Sequence, residues 1–344
     1  MQPMIIARTT LVIVIALLSS VDAWAQKTDV VTLVNGDRNT GDIEELDRGR
    51  LSLDTDDAGM ISFEWDKVAT VQSVRLFEVI TSDGRHFLGS LGRGSARSML
   101  VATATGPITL SMPEVTRIHP IDTGFWARLE GSIDAGFTYT QSSEIAQLNV
   151  NSEIIFRRPS FLLQLTTSDT LVRQRDEEGR DDRGSIDLTY VRDIGRKLFW
   201  AGVGRFESNE SLGLSLRSQL GGWLGTRLVD SNRGRFEVGA GAVYNFEHGL
   251  DTEATRNIEG LLGLQGSYYT YDGRKTTLDA SVDYFPGLSE WGRHRLQLNT
   301  AVKQELGWDF TVALNLYDTF DSAPPSPGAA RNDVGVVISL GWTF

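Results

Sequence analysis

RNDVGVVISLGWTF, residues 331–344, closes the chain and carries its clearest structural pattern. Its large apolar side chains fall on every second position, at Val334, Val336, Ile338, Leu340, Trp342 and Phe344. The positions between them are small or polar, with Val337 as the exception. Successive side chains of a β-strand point to opposite faces, so this stretch predicts a strand with one apolar face.

The same alternation runs backward from the C-terminus to about Trp126, for example through 236–246, 278–284 and 296–302. The segments are long, about 12–15 residues, whereas strands of globular proteins average five or six. A tilted strand needs about ten residues to cross the apolar layer of an outer membrane. Strand length therefore favours a transmembrane β-barrel over a soluble sandwich, which would also alternate.

The connections between these segments alternate in length, as outer-membrane barrels require. Short turns such as 157–160 and 231–234 are followed by longer polar loops such as 173–184 and 321–332. Aromatic residues lie near the predicted strand ends, as in an interfacial girdle, at Trp126, Tyr139, Trp200, Tyr268, Tyr284, Trp308 and Trp342.

Counting segments predicts twelve strands, with ten or fourteen as alternatives. They begin near Trp126, Glu144, Ser160, Gly184, Lys197, Leu212, Arg235, Asn257, Thr276, Arg293, Trp308 and Asn332. An even number places both ends of the barrel on the periplasmic side. The aromatic ending, with Trp342 and Phe344, predicts the signal that barrel assembly machinery recognises.

Composition excludes several classes of function. The chain has 33 Lys and Arg against 45 Asp and Glu, a net charge of −12, which argues against binding a nucleic-acid backbone. It has no cysteine, so disulfides, thiolate metal sites and a cysteine nucleophile are absent, and four histidines leave little material for a metal cluster. We expect no cofactor and no metal.

Residues 1–25 read as an export signal. Arg8 precedes an apolar run from Leu11 to Leu18, and Ala23-Trp24-Ala25 fits the small-x-small cleavage rule. The run is too short to span a bilayer as a helix, which takes about 20 residues.

Residues 26–120 contain a duplication, with copies at about 29–73 and 76–120. Gly36 and Gly84 are 48 positions apart, and Val68 and Val115 are 47 apart. Turn sequences and alternating apolar residues predict small SH3-like or Sm-like β units that pack together. Such a module could bind a periplasmic partner, peptide or glycan such as peptidoglycan, or act as a structural plug or spacer.

The predicted inward face of the barrel mixes acids and bases. Residues predicted to line the lumen include Arg128, Glu130, Arg205, Arg217, Arg235, Glu237, Asp279, Asp283, Lys303 and Glu305. Opposed charges at twelve strands can cross-link into a closed polar interior or line a narrow pore. Since an unpaired internal charge is costly, the closed interior is favoured.

The rival function is a barrel hydrolase of lipase or protease type at the cell surface, which needs a histidine beside an acid or serine. Only His248 and His294 lie in the barrel region, and neither has a recognisable partner spacing. His86 and His119, in the repeat, are expected to be surface residues. The acidic run 176–182 is interrupted by Arg180, which indicates a solvated loop rather than a cation site.

Residues 205–247, RFESNESLGLSLRSQLGGWLGTRLVDSNRGRFEVGAGAVYNFE, the loop at 321–335 and the ending LGWTF at 340–344 carry a family resemblance. Over about residues 126–344 the chain resembles domain of unknown function 481, a bacterial family described as salt-induced outer-membrane proteins. The resemblance implies an outer-membrane barrel linked to salt or envelope stress. It brings no catalytic residues.

Together these patterns predict an all-β protein, with a C-terminal antiparallel transmembrane β-barrel at 126–344 preceded by the duplicated module. We expect it in the bacterial outer membrane with the module in the periplasm. Its expected partners are the lipid bilayer, lipopolysaccharide and the assembly machinery. The expected role is non-enzymatic, either structural or as a narrow pore.

Overall fold

The computed structural model describes residues 27–95, 97–121, 124–125, 128–140, 145–159, 161–174, 182–209, 214–249, 253–271, 275–306, 310–324 and 331–342. The predicted export signal and Phe344 lie outside these residues, and so does the acidic run apart from Asp182. The chain forms two antiparallel sheets of nine and twelve strands, so the all-β prediction is confirmed. The described residues contain no helix long and apolar enough to cross a membrane.

The first sheet forms the N-terminal module. Its strands are β1 (Asp29–Leu33), β2 (Arg38–Asp47), β3 (Arg50–Thr55), β4 (Gly59–Glu64), β5 (Val68–Thr81), β6 (His86–Arg93), β7 (Ser98–Thr103), β8 (Gly106–Ser111) and β9 (Val115–Pro120). The two predicted copies have the same plan, in which four strands, a single 3₁₀ turn and a closing strand follow one another. The turns are Trp65–Lys67 and Met112–Glu114, at equivalent places in the repeat.

The two copies are fused through β5. Its first half pairs with β1 and completes the first copy, and its second half pairs with β6 and β9 as the first strand of the second copy. One continuous apolar core runs through both, from Val31 to Ile118. The Trp65 indole donates a hydrogen bond to the Met112 carbonyl at 2.7 Å, which links the two 3₁₀ turns. The module therefore buries its apolar residues as one unit.

The second sheet contains the twelve strands predicted for the C-terminal region. They are β10 (Leu129–Thr140), β11 (Ile145–Arg158), β12 (Phe161–Gln174), β13 (Arg183–Asp193), β14 (Leu198–Asn209), β15 (Leu214–Ser231), β16 (Gly234–Gly249), β17 (Thr255–Thr270), β18 (Thr276–Pro286), β19 (His294–Glu305), β20 (Phe310–Asp321) and β21 (Asn332–Trp342). Each pairs with its neighbours in chain order. No ladder joins β10 to β21 among the residues that the structure describes. Side chains from β11 through β19 line one cavity, so the sheet is rolled.

The outer face of the rolled sheet is apolar and exposed. On β21, Val334, Val336, Ile338 and Leu340 are each more than half exposed. Aromatic rings contact one another in series near the short turns, in stacked, tilted and edge-on pairs, in the order Phe125, Phe156, Phe161, Tyr190 and Trp200. The alternation seen in the sequence therefore separates an apolar outside from a polar inside.

The inner face is layered along the strands. On β16 the inward positions run from Arg235 and Glu237 through two glycines to Val243 and then Asn245 and Glu247. Gly239 leaves room for the Trp223 ring of β15, since a Cβ there would lie 2.9 Å from it. The interior thus has a charged layer at each end and a small-residue and apolar layer between them.

Candidate functional site

The N-terminal module sits against the end of the rolled sheet where the short turns lie, here called the short-turn end. This end carries the connections from β11 to β12, from β13 to β14, from β15 to β16, from β17 to β18 and from β19 to β20. The Asn232 amide donates a hydrogen bond to the Val115 carbonyl at 2.8 Å. Arg50 of the module lies over the Tyr271 ring, 5.2 Å from its centroid. Because β9 and β10 are joined by only eight residues, 121–128, the module is also tethered at this end.

Ion pairs join the module to the sheet. Arg235 donates to Asp47 at 2.9 Å, and Arg48 donates to Asp279 at 3.0 Å. Arg117 of the module forms an ion pair with Asp230, whose side chain is buried. These contacts join residues more than 100 positions apart in the chain. Charges that would be costly inside a barrel are thereby neutralised at its base.

Two module turns approach the sheet so closely that they require glycine. Gly84 has φ +78°, and a Cβ on it would lie 1.7 Å from the Arg196 carbonyl oxygen. Gly49 has φ +71°, and a Cβ there would lie 2.4 Å from the Asn232 carbonyl oxygen. Gly36 is the repeat equivalent of Gly84 and has φ +94°, but it has nothing within 4 Å of its Cβ position. Only the second copy uses this turn as a contact.

His86 links the module to the sheet between two carboxylates. Its Nδ1 is 2.8 Å from the buried Glu78, and its Nε2 is 3.7 Å from Asp193 of β13. Asp193 also accepts a hydrogen bond from Arg227 at 2.5 Å.

The opposite end, where the long loops lie, carries a second cluster of buried ion pairs. Glu247 accepts hydrogen bonds from Arg217 at 3.0 Å and from Arg293 at 3.2 Å. Arg293 also donates to Asp321 at 2.7 Å. Arg295 donates to the buried Glu259 at 2.9 Å. This cluster, here called the upper cluster, joins β15, β16, β17, β19 and β20 across the interior.

Between the two ends lies a cavity of about 580 Å³. Its wall combines charged residues of the short-turn end with the apolar layer, including the buried cluster Val243, Leu261 and Phe285. Asp47, Arg117 and other module residues complete its base. The cavity therefore has one charged and one apolar region.

The predicted lumen residues lie in different surroundings. Arg205, Arg235, Glu237 and Asp283 line the cavity, and Arg217 belongs to the upper cluster. Asp279 pairs with the module, and Glu305 pairs with Lys275 at 3.0 Å. Arg128 precedes β10 and is half-buried, while Glu130 and Lys303 are exposed. Trp342 ends β21, and its side chain lies outside the description.

The prediction that His119 is a surface residue is wrong. His119 is 5% exposed and lines the cavity beneath the sheet. Burial, together with the positive charges of Arg157 and Arg117, lowers the pKa of His119 to about 3. Nearby, burial opposes ionisation of Asp47, but the Arg235 guanidinium outweighs it and holds the pKa of Asp47 below its ordinary value. The histidine is therefore neutral and Asp47 is charged at pH 7.

The rival hydrolase would need a serine or a carboxylate beside one of the two histidines of the sheet. His294 Nδ1 bonds the Tyr284 hydroxyl at 2.7 Å, and the two rings stack. In the part of the chain that the structure describes, no hydrogen bond joins the ring of His248 or His294 to a serine or a carboxylate. The same residues contain no group of three metal-binding side chains.

Several functional residues escaped the sequence reasoning. Asp47 and Arg117 belong to the module, and nothing in the local pattern indicates partners more than 100 residues away. Arg293 sits at a loop margin, where its charge looks solvated. The sequence could have indicated Arg295. It lies two positions before Gln297 on β19, and alternate residues of a strand face the same side of the sheet.

Comparison with family models finds one match, described as "Protein of unknown function, DUF481", over residues 132–344. The match covers the rolled sheet and leaves out the N-terminal module. Comparison with curated proteins and with solved structures finds no match to the chain.

Proposed function

The chain belongs to the DUF481 family, and from this premise we propose that it is a non-enzymatic outer-membrane β-barrel whose lumen is closed by its own periplasmic module. Its role in this proposal is structural, within the cell envelope. The bilayer, lipopolysaccharide and the barrel assembly machinery are its proposed partners.

The apolar outer face of the sheet is the observation that supports membrane insertion. Large side chains such as Leu220, Leu224 and Ile338 are 71%, 59% and 71% exposed, while charges are paired inside. Soluble proteins rarely expose contiguous apolar patches above a few hundred Å². Lipid would cover this face, and the aromatic series near the short turns would lie at the interface.

Closure of the lumen is supported by the two charged ends. The upper cluster crosses the interior beneath the long loops, and the module lies across the short-turn end. An open channel would leave these arginines and carboxylates hydrated rather than paired with one another. We therefore favour a plugged barrel over the narrow pore.

Membrane insertion is tested by heat-modifiable migration on a gel together with membrane fractionation. We expect the protein in the outer-membrane fraction, with faster migration before boiling than after. A protein recovered in the soluble fraction, with one mobility under both conditions, would contradict the barrel.

Closure by the module is tested with the turn that occurs in both copies of the repeat. In detergent micelles we expect a bulky thiol reagent to label Ser281→Cys, at a position that lines the cavity, slowly in the wild-type background and faster in Gly84→Ala, because the new Cβ of residue 84 collides with the Arg196 carbonyl. The chain has no cysteine of its own, so this thiol is the only one labelled. Gly36→Ala is the matched control. It bears the same positive-φ strain, about 1–2 kcal/mol, but meets nothing within 4 Å. Rapid labelling in the wild-type background, or equal labelling in the two variants, would rule out closure by the module.

A further inference from the structure

The cavity has the size of a ligand site. Its volume of about 580 Å³ lies within the range of roughly 300–1,000 Å³ typical of small-molecule sites. Nine successive strands, β11 to β19, contribute to its wall, and the module supplies its base. Such sites are mostly apolar with a few polar groups that fix the ligand's orientation.

One part of the wall is apolar although it lies inside a polar interior. Val243, Leu261 and Phe285 form a buried cluster, against which Val203 and Trp223 pack. All five line the cavity. An aliphatic chain placed against them would be removed from water, and this transfer of apolar surface out of water favours binding.

The other part of the wall holds buried donors without acceptors. His119 Nε2, Arg117 Nε and Arg157 Nε are each buried with no hydrogen-bond partner, and all three residues line the cavity. Since buried polar groups in native proteins almost always have a partner, these atoms point to a missing acceptor. The Nε–H groups of both arginines can only donate, and His119 Nε2 donates in one of its two neutral tautomers, so the oxygen atoms of an anionic ligand would satisfy all three.

Arg157 differs from four of the other arginines that line the cavity. Arg227 and Arg235 pair with carboxylates at 2.5–3.5 Å, and Arg117 and Arg205 also have carboxylate partners. Arg157 forms no ion pair with any residue that the structure describes. Glu45 lies within electrostatic range of Arg157 but outside ion-pair distance. The free positive charge at this end favours an anionic head group.

We propose that the cavity binds a single-chain amphipathic anion, with a carboxylate or phosphate head at Arg157, His119 and Arg117 and its aliphatic chain along the apolar layer. A free fatty acid and a chain-bearing phosphate share this chemistry. The site rests on the plugged barrel proposed above, because the module supplies His119 and Arg117.

The test is equilibrium binding of radiolabelled dodecanoate and dodecyl phosphate to the full chain in phosphatidylcholine nanodiscs, with empty nanodiscs as background. We expect saturable binding of about one amphiphile per chain. Tighter binding of the carboxylate indicates a fatty acid, and tighter binding of the phosphate indicates a phosphate-bearing lipid. Dodecyltrimethylammonium, with the opposite charge, should show no saturable component.

Two variants locate the head-group site. Arg157→Gln should weaken binding about tenfold or more, since it removes a charge-assisted hydrogen bond. Arg192→Gln is the control and should change binding less than about threefold, because Arg192 is exposed and does not line the cavity. Val203→Trp, which fills the apolar layer, should abolish binding of both anions.

Binding that is not saturable, that accepts the cation equally, or that is unchanged in Arg157→Gln would overturn the proposal. The gel shift measured on the same samples separates this failure from failure of the barrel itself. A protein that keeps its heat-modifiable migration but binds no amphiphile is a barrel without this site.

Discussion

Glu247→Ala will lower the free energy of unfolding by roughly 3 kcal/mol. Glu247 is 1% exposed and accepts hydrogen bonds from both Arg217 and Arg293. Its removal leaves two buried guanidinium groups short of a partner, and breaking a buried ion pair typically costs about 3–5 kcal/mol. We expect the lower end of this energy range because Arg293 still pairs with Asp321 and Arg217 still pairs with Glu207.

The measurement is urea unfolding in lipid vesicles, followed by tryptophan fluorescence and gel mobility. Glu290→Ala is the control, because Glu290 pairs with the same Arg293 at 3.6 Å but is 46% exposed. Exposed ion pairs contribute about 1 kcal/mol or less. Equal effects of the two substitutions would show that the upper cluster does not depend on burial.

Acidification will destabilise the module through His119, progressively from about pH 6.5 to about pH 3. The folded-state pKa of His119 is about 3, below the unfolded value near 6.5. Between these values the unfolded chain binds one more proton than the folded chain, so stability falls as the pH falls. The slope contributed by this group is at most about 1.4 kcal/mol per pH unit. Its contribution is complete above pH 6.5.

Differential scanning calorimetry of the wild type and of His119→Gln across this window measures the effect. Carboxylates also titrate there, so the comparison isolates the histidine. We expect the variant to lose less stability than the wild type between pH 6.5 and pH 4, and the two to run in parallel above pH 7. Parallel curves throughout would mean that His119 is protonated in the folded module.

The number and the limits of the strands in the twelve-stranded sheet could be predicted, because they depend on residues that are close together in the sequence. The two-residue period of a strand is fixed by backbone geometry, and the turn residues mark where each strand ends. Every strand therefore begins within three residues of its predicted position; β10, predicted near Trp126, begins at Leu129. The repeat was visible for the same reason, since equivalent turns keep equivalent residues such as Gly36 and Gly84.

The docking of the module could not be predicted, because it depends on pairs that are distant in sequence. Arg117 and Asp230 are 113 positions apart, and each looks like an ordinary surface charge in its own segment. His119 looks like a surface residue in its own segment for the same reason, yet it is 5% exposed and lines the cavity beneath the sheet. The fusion through β5 was also hidden, because a repeat in sequence does not say whether its copies share a strand.

The short connection between Pro120 and Leu129 keeps the module close to the short-turn end. A tether of this length holds the module at an effective concentration on the order of millimolar next to the short-turn end. In the proposed plugged barrel, contacts that would be too weak to hold two separate proteins together are then sufficient to keep the module in its seat. A displaced module cannot diffuse away, so closure of the short-turn end is in this proposal an intramolecular equilibrium, and single contacts such as the one at Gly84 set its position.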